Sequence, residues 1–121
     1  MKNCFIYLRV STDEQASQGF SIENQRRACK EYADMYDYHV KQVFIDDGKS
    51  GRTTERAAFQ DLLRTLREDP LEAVIIYKID RFARNVGDFS NIRKEFKKMS
   101  IKLLSVSENG DVTEGLIGNI F

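Results

Sequence analysis

The stretch that decides the fold is EAVIIYKI, residues 72–79. Its apolar side chains follow one another without polar alternation, which is typical of a strand covered on both faces. Three other stretches have the short, apolar character of strands. They are residues 3–10, 40–45 and 101–107. The uninterrupted apolar run predicts that 72–79 forms the central strand of a sheet.

Segments with helical periodicity separate these strands. The first begins at Ser21, which can cap a helix, the second spans 57–69 before Pro70, and the third begins after Asn85. The apolar residues expected on the inner faces are Ile22, Cys29, Ala33, Tyr36, Phe59, Leu62, Leu63, Leu66, Phe89, Ile92, Phe96 and Met99. Residues 108–115 are expected to form a loop. The alternation predicts one α/β domain over 1–121, with a mostly parallel four- to five-stranded sheet flanked by helices.

Composition limits the classes of function. With 121 residues, 41% of them hydrophobic, the chain can bury one core and is not a disordered tail. Its 19 basic and 19 acidic residues cancel, so any binding of nucleic acid must depend on local charge. Cys4 and Cys29 lack metal-site spacing and are predicted to be reduced core thiols. We find no membrane-spanning segment or signal peptide in the sequence and expect a cytoplasmic protein without membrane contact.

Polar clusters follow three of the predicted strands. They are RVSTDEQ at 9–15, DDGKSGRTTER at 46–56 and DRFAR at 80–84. The carboxyl ends of parallel strands share one edge of a sheet, and binding sites form there. Alternation along the first strand places Tyr7, Arg9 and Ser11 on the same side. The sequence therefore predicts that the three clusters meet around Ser11.

Four arginines are expected at this edge, namely Arg9, Arg56, Arg81 and Arg84. The last two are neighbours if their segment is helical. Two guanidinium groups ~4 Å apart repel by roughly 4 kcal/mol at an effective dielectric of ~20, so the cluster requires an anion. Each planar guanidinium fits two oxygens of a phosphate. The residues favour a serine that attacks phosphorus, in a site that spreads the charge of the transition state.

Other chemistries fit these residues less well. A serine hydrolase needs a histidine base, and His39 is expected at the opposite end of the sheet from Ser11. The phosphate-binding pattern G-x-x-x-x-G-K-[ST] does not occur. A magnesium-dependent nuclease or primase-like domain using Asp46, Asp47 and Asp80 stays open, although the arginines already supply the positive charge of a metal. A non-catalytic assembly domain also stays open, but it would not require these arginines.

The motifs resemble those of a known family. YLRVSTDEQ (7–15) resembles the opening Y-x-R-V-S-T-x-x-Q of the serine site-specific recombinases, the resolvase and invertase group. SGRTTER (50–56) is similar to the family's S-G followed, after four residues, by arginine, and YKIDRFAR (77–84) is similar to its D-R-x-x-R motif. SIENQRRAC (21–29) resembles a helix start of the large members. One departure is Ala57, where large relatives often have proline.

The resemblance implies a resolvase-like catalytic domain and a role for each matching residue. Ser11 would cut a DNA strand and hold its 5′ end as a phosphoserine. Asp80 would orient an arginine or help a proton to reach the leaving 3′ oxygen. The residues implied to bind the scissile phosphate are Arg9, Arg56, Arg81 and Arg84. The residues implied to support the site are Gln15, Gln25 and, as the family's acid after the second strand, Asp46 or Asp47.

The resemblance also implies partners and cofactors. The family needs no metal, which agrees with the positive charge that the arginines supply, and no nucleotide cofactor, because the phosphoserine keeps the energy of the broken phosphodiester. The acceptor of the Ser11 proton stays open, since arginines can lower the serine pKa or phosphate oxygens can take the proton. The implied partners are double-stranded DNA and further copies of the protein, as dimers and a synaptic tetramer. In the family a long helix and a DNA-binding region follow, so we expect the catalytic domain of a longer, large-type recombinase that is poorly active alone.

Overall fold

The computed structural model describes residues 2–10, 22–46, 56–83 and 85–113. Its strands are β1 (Lys2–Arg9), β2 (Tyr38–Asp46), β3 (Ala73–Ile76), β4 (Lys102–Ser105) and β5 (Gly110–Asp111). They form one sheet in the order β2-β1-β3-β4-β5. Neighbouring strands are parallel except β4 and β5, which are antiparallel. The prediction of a mostly parallel α/β sheet is confirmed.

The strand β3 lies at the centre of the sheet, between β1 and β4. It pairs with both neighbours over its full length, and all four of its residues are buried. Its uninterrupted apolar sequence is explained by this burial on both faces. The strand is shorter than the predicted 72–79, because Ile79 begins a short helix.

Four helices lie in the described part of the chain. They are α1 (Ile22–Met35), α2 (Ala57–Glu68), α3 (Ile79–Phe82) and α4 (Val86–Lys98). Alternation along β1 divides the core in two. Phe5 and Tyr7 belong to a core shared with α2, α3 and α4, whereas Cys4, Ile6 and Leu8 pack in a second core with α1. Helices therefore cover both faces of the sheet, as predicted.

Most of the apolar positions predicted for the inner faces of the helices are buried, and Ile22, Leu63 and Met99 are partly buried. The prediction for Tyr36 was wrong. The helix α1 ends one residue earlier, and Tyr36 is 45% exposed, with its ring centroid 4.6 Å from that of Tyr32. Helical spacing does not predict which side chains are buried after the helix has ended.

The predicted loop at 108–115 contains a short strand. Asn109 and Gly110 have φ angles of 60° and 144°, and glycine adopts such angles without steric cost. The turn brings Gly110–Asp111 back along β4, where it pairs with Leu104 and Ser105. The loop prediction was therefore wrong for these two residues.

Both cysteines are free thiols without exposed surface, as predicted. Burial raises the pKa of Cys4 and of Cys29 to about 12, so both thiols stay protonated at neutral pH. Within the described ranges, no helix is long and apolar enough to cross a membrane.

Candidate active site

The carboxyl ends of β1, β2 and β3 lie side by side at one edge of the sheet. Arg9 ends β1 and is paired in register with Asp46, the last residue of β2. The N–H of Val10 donates to the backbone oxygen of Asp46 at 3.0 Å. On the other side of β1, β3 leads into α3, which carries Asp80 and Arg81. The fold thus gathers the described parts of the three predicted clusters at one edge.

The carboxylate of Asp46 caps the start of α2 from a neighbouring strand. It accepts the N–H groups of Ala58 and Phe59 at 2.9 and 3.1 Å. It also accepts the hydroxyl of Tyr7 at 2.6 Å. Arg56, the residue before α2, makes no side-chain cap and has a left-handed φ of 58°. Asp46 therefore supplies the acceptor and the negative charge that a helix N-terminus needs.

Tyr7 connects this cap to the aromatic core. Its ring centroid lies 5.2 Å from that of Phe59 and 5.7 Å from that of Phe82. Burial raises the pKa of Tyr7 well above its ordinary value, although Arg56 acts in the opposite direction. The phenol therefore stays protonated and donates to Asp46. Sequence alternation placed Tyr7 on the same side as Arg9, but the residue type did not identify it as part of the site.

Arg56 lies in a buried pocket rather than an open crevice, with 7% of the residue exposed. Its guanidinium carbon is 4.5, 5.5 and 5.8 Å from the ring centroids of Phe59, Phe82 and Tyr7. Nη1 donates to the carboxylate of Asp88 at 3.0 Å, and Nη2 donates to the backbone oxygen of Phe82 at 2.7 Å. This arrangement differs from the phosphate-facing position expected from the sequence. Asp88 was not predicted, since an acid in the first turn of a helix has an ordinary role there.

The short helix α3 carries two of the predicted site residues. Arg81 Nε lies 4.0 Å from one carboxylate oxygen of Asp80, and Lys78 Nζ lies 3.6 Å from the other. Asp80 therefore lies between two cations and can orient them. The helix ends at Phe82, and Ala83 is extended with ψ 151°. Arg81 and Arg84 were expected to be neighbours if one helix carried both, and α3 ends before Arg84.

Glu108 anchors the beginning of α3. Its carboxylate accepts the N–H of Ile79 at 3.0 Å and the hydroxyl of Ser105, which is fully buried. Glu108 follows β4, so it reaches the same edge of the sheet as the other clusters. Its position after a strand end is the signal that sequence reasoning could have used.

Of the remaining predicted residues, two lie within the described ranges and four lie outside them. Gln25 is buried on the face of α1 that also carries Cys29 and Ala33, hence on the sheet face opposite Tyr7. Arg9 is half-buried. The predicted residues that lie outside the described ranges are Ser11, Gln15, Asp47 and Arg84. Their roles, like those of all the other predicted site residues, stay predictions.

Comparisons with known proteins agree on one kind of domain. The family model for the resolvase N-terminal domain matches residues 4–121. A putative DNA recombinase of Bacillus subtilis is 35% identical over 116 residues, which are 96% of this chain and 22% of that protein. The Tn3 resolvase of Escherichia coli is 30% identical over 116 residues, which are 96% of this chain and 56% of that protein. The chain therefore spans about half the length of this resolvase and less of the larger relative.

A solved structure gives the same likeness in three dimensions. The N-terminal catalytic domain of TP901-1 integrase superposes with a TM-score of 0.81 and 36% sequence identity. The match covers 94% of this chain and 85% of that domain. The likeness therefore extends over the sheet, the helices and the edge that carries the candidate site.

Proposed function

Because this chain belongs to the resolvase N-terminal domain family, we propose that it is the catalytic domain of a DNA recombinase that cuts and rejoins strands through Ser11. The observation that carries the proposal is the family match over residues 4–121, which includes every motif expected to contact DNA. The edge at which Arg9, Asp46 and Arg81 lie supports it, because sites of parallel α/β sheets form there.

The proposed reaction is a transesterification at phosphorus. The Ser11 hydroxyl oxygen forms a bond to the scissile phosphorus and loses its proton. The bond from phosphorus to the 3′ oxygen breaks, and this oxygen takes up a proton and leaves as a 3′ hydroxyl. The 5′ end stays attached as a phosphoserine. Attack by a 3′ hydroxyl reverses the step, so rejoining consumes no nucleotide. The proposed step uses no metal.

Positive charge at the sheet edge is proposed to stabilise the transition state. We assign phosphate contacts to Arg9, Arg81 and Arg84, whose guanidinium groups can each donate to two oxygens. Asp80 lies within 4.0 Å of Arg81 and orients it. The family motif assigns Arg56 to the phosphate, whereas its buried position supports a role in positioning neighbouring elements of the site.

The supporting residues have less direct roles in this proposal. Gln15, Gln25 and Asp47 are assigned to hydrogen bonds that shape the site. Asp46 accepts hydrogen bonds from Ala58, at the start of α2, and from Tyr7 in β1. In this proposal it fixes the positions of these two elements beside the site. These bonds occupy both carboxylate oxygens of Asp46, one of the three acids that the magnesium-dependent alternative would use as metal ligands.

The proposed partners are double-stranded DNA and further copies of the protein. The relatives are named as recombinases and transposon resolvases, which supports DNA as the substrate. The sequence has no net charge, so DNA affinity in this domain depends on the local cations of the edge. Self-association is proposed because rejoining exchanged strands requires several sites to act together.

A covalent-adduct assay tests the proposal. The chain is fused to a sequence-specific DNA-binding domain, which holds duplex DNA near Ser11, and EDTA is present throughout. We expect a denaturation-resistant protein–DNA species whose tryptic peptide carries the nucleotide on Ser11. Ser11→Ala should abolish it, and Arg81→Ala should reduce it at least about tenfold. A linkage on another residue, survival in Ser11→Ala, or cleavage only with Mg²⁺ that leaves a free 5′ phosphate would contradict the mechanism.

A further inference from the structure

Arg56 is a buried charged residue of the candidate site. Its Nη groups donate to Asp88 and to the backbone oxygen of Phe82, and three aromatic rings surround the guanidinium. Its backbone is left-handed, with φ 58°, a conformation that costs about 1–2 kcal/mol for a residue with a side chain. Tertiary contacts must therefore hold the residue in place.

The two acceptors of Arg56 are Phe82, at the end of α3, and Asp88, in the first turn of α4, so they lie on either side of the connection between these helices. Phe82, whose backbone oxygen accepts from Arg56, is the last residue of α3 and directly follows Arg81. Asp88 lies in the first turn of α4, where its N–H donates to the side chain of Asn85 at 2.8 Å. One guanidinium group thus ties the start of α2 to both ends of the connection between α3 and α4. A displacement of Phe82 or of Asp88 relative to α2 would break one of these bonds.

Moving Arg56 out to a phosphate would carry several costs. The backbone oxygen of Phe82 would lose a 2.7 Å bond, and Asp88 would lose its 3.0 Å partner. The guanidinium would also leave its contacts with the rings of Phe59 and Phe82, whose centroids lie 4.5 and 5.5 Å from its carbon. The carboxylate of Asp88, the carbonyl of Phe82 and the aromatic rings already surround the two Nη groups, and Nε is buried without a hydrogen-bond partner among the described residues.

We propose that Arg56 and Asp88 form a buried positioning pair, which holds the short helix α3 against α2 and α4 so that Arg81 faces the scissile phosphate. In this role Arg56 acts through Phe82 and does not touch the DNA. The proposal rests on the proposed function for its catalytic consequence, but the positioning itself is a property of the free protein.

Hydrogen exchange on the free chain tests the positioning. In α3 the N–H of Ala83 donates to Ile79 at 2.9 Å. Asp88→Asn removes the charge that holds Arg56, and it should speed exchange at the Ala83 amide about tenfold or more, with little change at Ile75 in β3. The matched control is Asp61→Asn, which removes an exposed carboxylate from α2 and should leave both amides unchanged. Unchanged exchange at Ala83 in folded Asp88→Asn would overturn the proposal.

A second variant keeps the test decisive if Asp88→Asn does not fold. Combining Arg56→Met with Asp88→Asn leaves no unpaired buried cation, so the double variant is expected to fold. It lacks the bond to Phe82 and should show the same fast exchange at Ala83. Slow hydrogen exchange at the Ala83 amide in this double variant would also overturn the proposal that the Arg56–Asp88 pair holds α3 in place.

The adduct assay distinguishes positioning from direct phosphate contact. If the pair positions the arginine segment, Asp88→Asn lowers the adduct yield about 10- to 100-fold, and adding it to Arg56→Met lowers the yield no further. If Arg56 is instead released to bind phosphate, Asp88→Asn raises the yield, and this result would overturn the proposal. Absence of any Ser11 adduct in the parent chain would reject the proposed function, whereas the exchange result on free protein would still decide the positioning.

Discussion

Replacing Asp46 with alanine is expected to destabilise the domain strongly, although the residue lies at a candidate site. The carboxylate accepts the N–H groups of Ala58 and Phe59 and the hydroxyl of Tyr7. Alanine removes all three hydrogen bonds at once. The start of α2 then has no cap from Arg56, whose side chain makes none.

The expected magnitude follows from these three bonds. Loss of a helix cap costs about 1 kcal/mol, and loss of a negative charge at a helix N-terminus costs roughly 0.3–1 kcal/mol. The buried Tyr7 hydroxyl left without its acceptor adds about 1–3 kcal/mol. The sum is about 2–5 kcal/mol, against a total stability on the order of 5–15 kcal/mol for a domain. With a urea dependence of about 2 kcal/mol per M, the midpoint should fall by roughly 1–2.5 M.

Urea unfolding of a double-mutant cycle measures the effect. Tyr7→Phe keeps the ring packed against Phe59 and should cost about 1.5–3 kcal/mol alone, because it removes a hydrogen bond to a charged group. In the Asp46→Ala background it should be neutral or stabilising, since the hydroxyl no longer has an acceptor. Asp61→Ala, which removes an exposed pair with Arg64, should change stability by less than about 0.5 kcal/mol. An equal cost of Tyr7→Phe in both backgrounds would refute the reasoning.

Two further outcomes are expected from the buried groups. Raising the pH from 8 to 10 should destabilise the domain by about 2–3 kcal/mol, because the unfolded chain releases the Cys4 and Cys29 protons near pH 9 and the folded chain keeps them to about pH 12. Urea midpoints of a variant with both cysteines replaced by alanine should depend less on pH, and an equal dependence would exclude the thiols as the cause. Glu108→Ala should cost about 1–3 kcal/mol, because the Ile79 N–H and the Ser105 hydroxyl lose their acceptor. Adding Ser105→Ala should recover part of this cost in the same urea assay, and no recovery would show that the hydroxyl does not depend on Glu108.

The main features of the fold could be predicted from the sequence because they depend on local periodicity. The buried residues of β3 are consecutive in the chain, and Phe59, Leu62 and Leu66 repeat at helical spacing. Errors occurred where local periodicity ends, as at Tyr36 after α1 and at the two-residue strand β5. The family resemblance was also predictable, since its motifs are short segments of contiguous sequence, and it is confirmed by the match over residues 4–121.

Contacts between distant residues decided the rest of the candidate site. The sequence by itself determined which segments form the four parallel strands and that Arg9, Asp46 and Arg81 lie at or just after strand ends, because these properties depend on the order and spacing of residue types. Only the tertiary structure decided that Asp46 caps a helix that begins eleven residues later and that Arg56 binds Asp88, 32 residues further along. The physical reason is that a buried charge must find its partners in space, and packing of α2 and α4 on one sheet face brings those partners together.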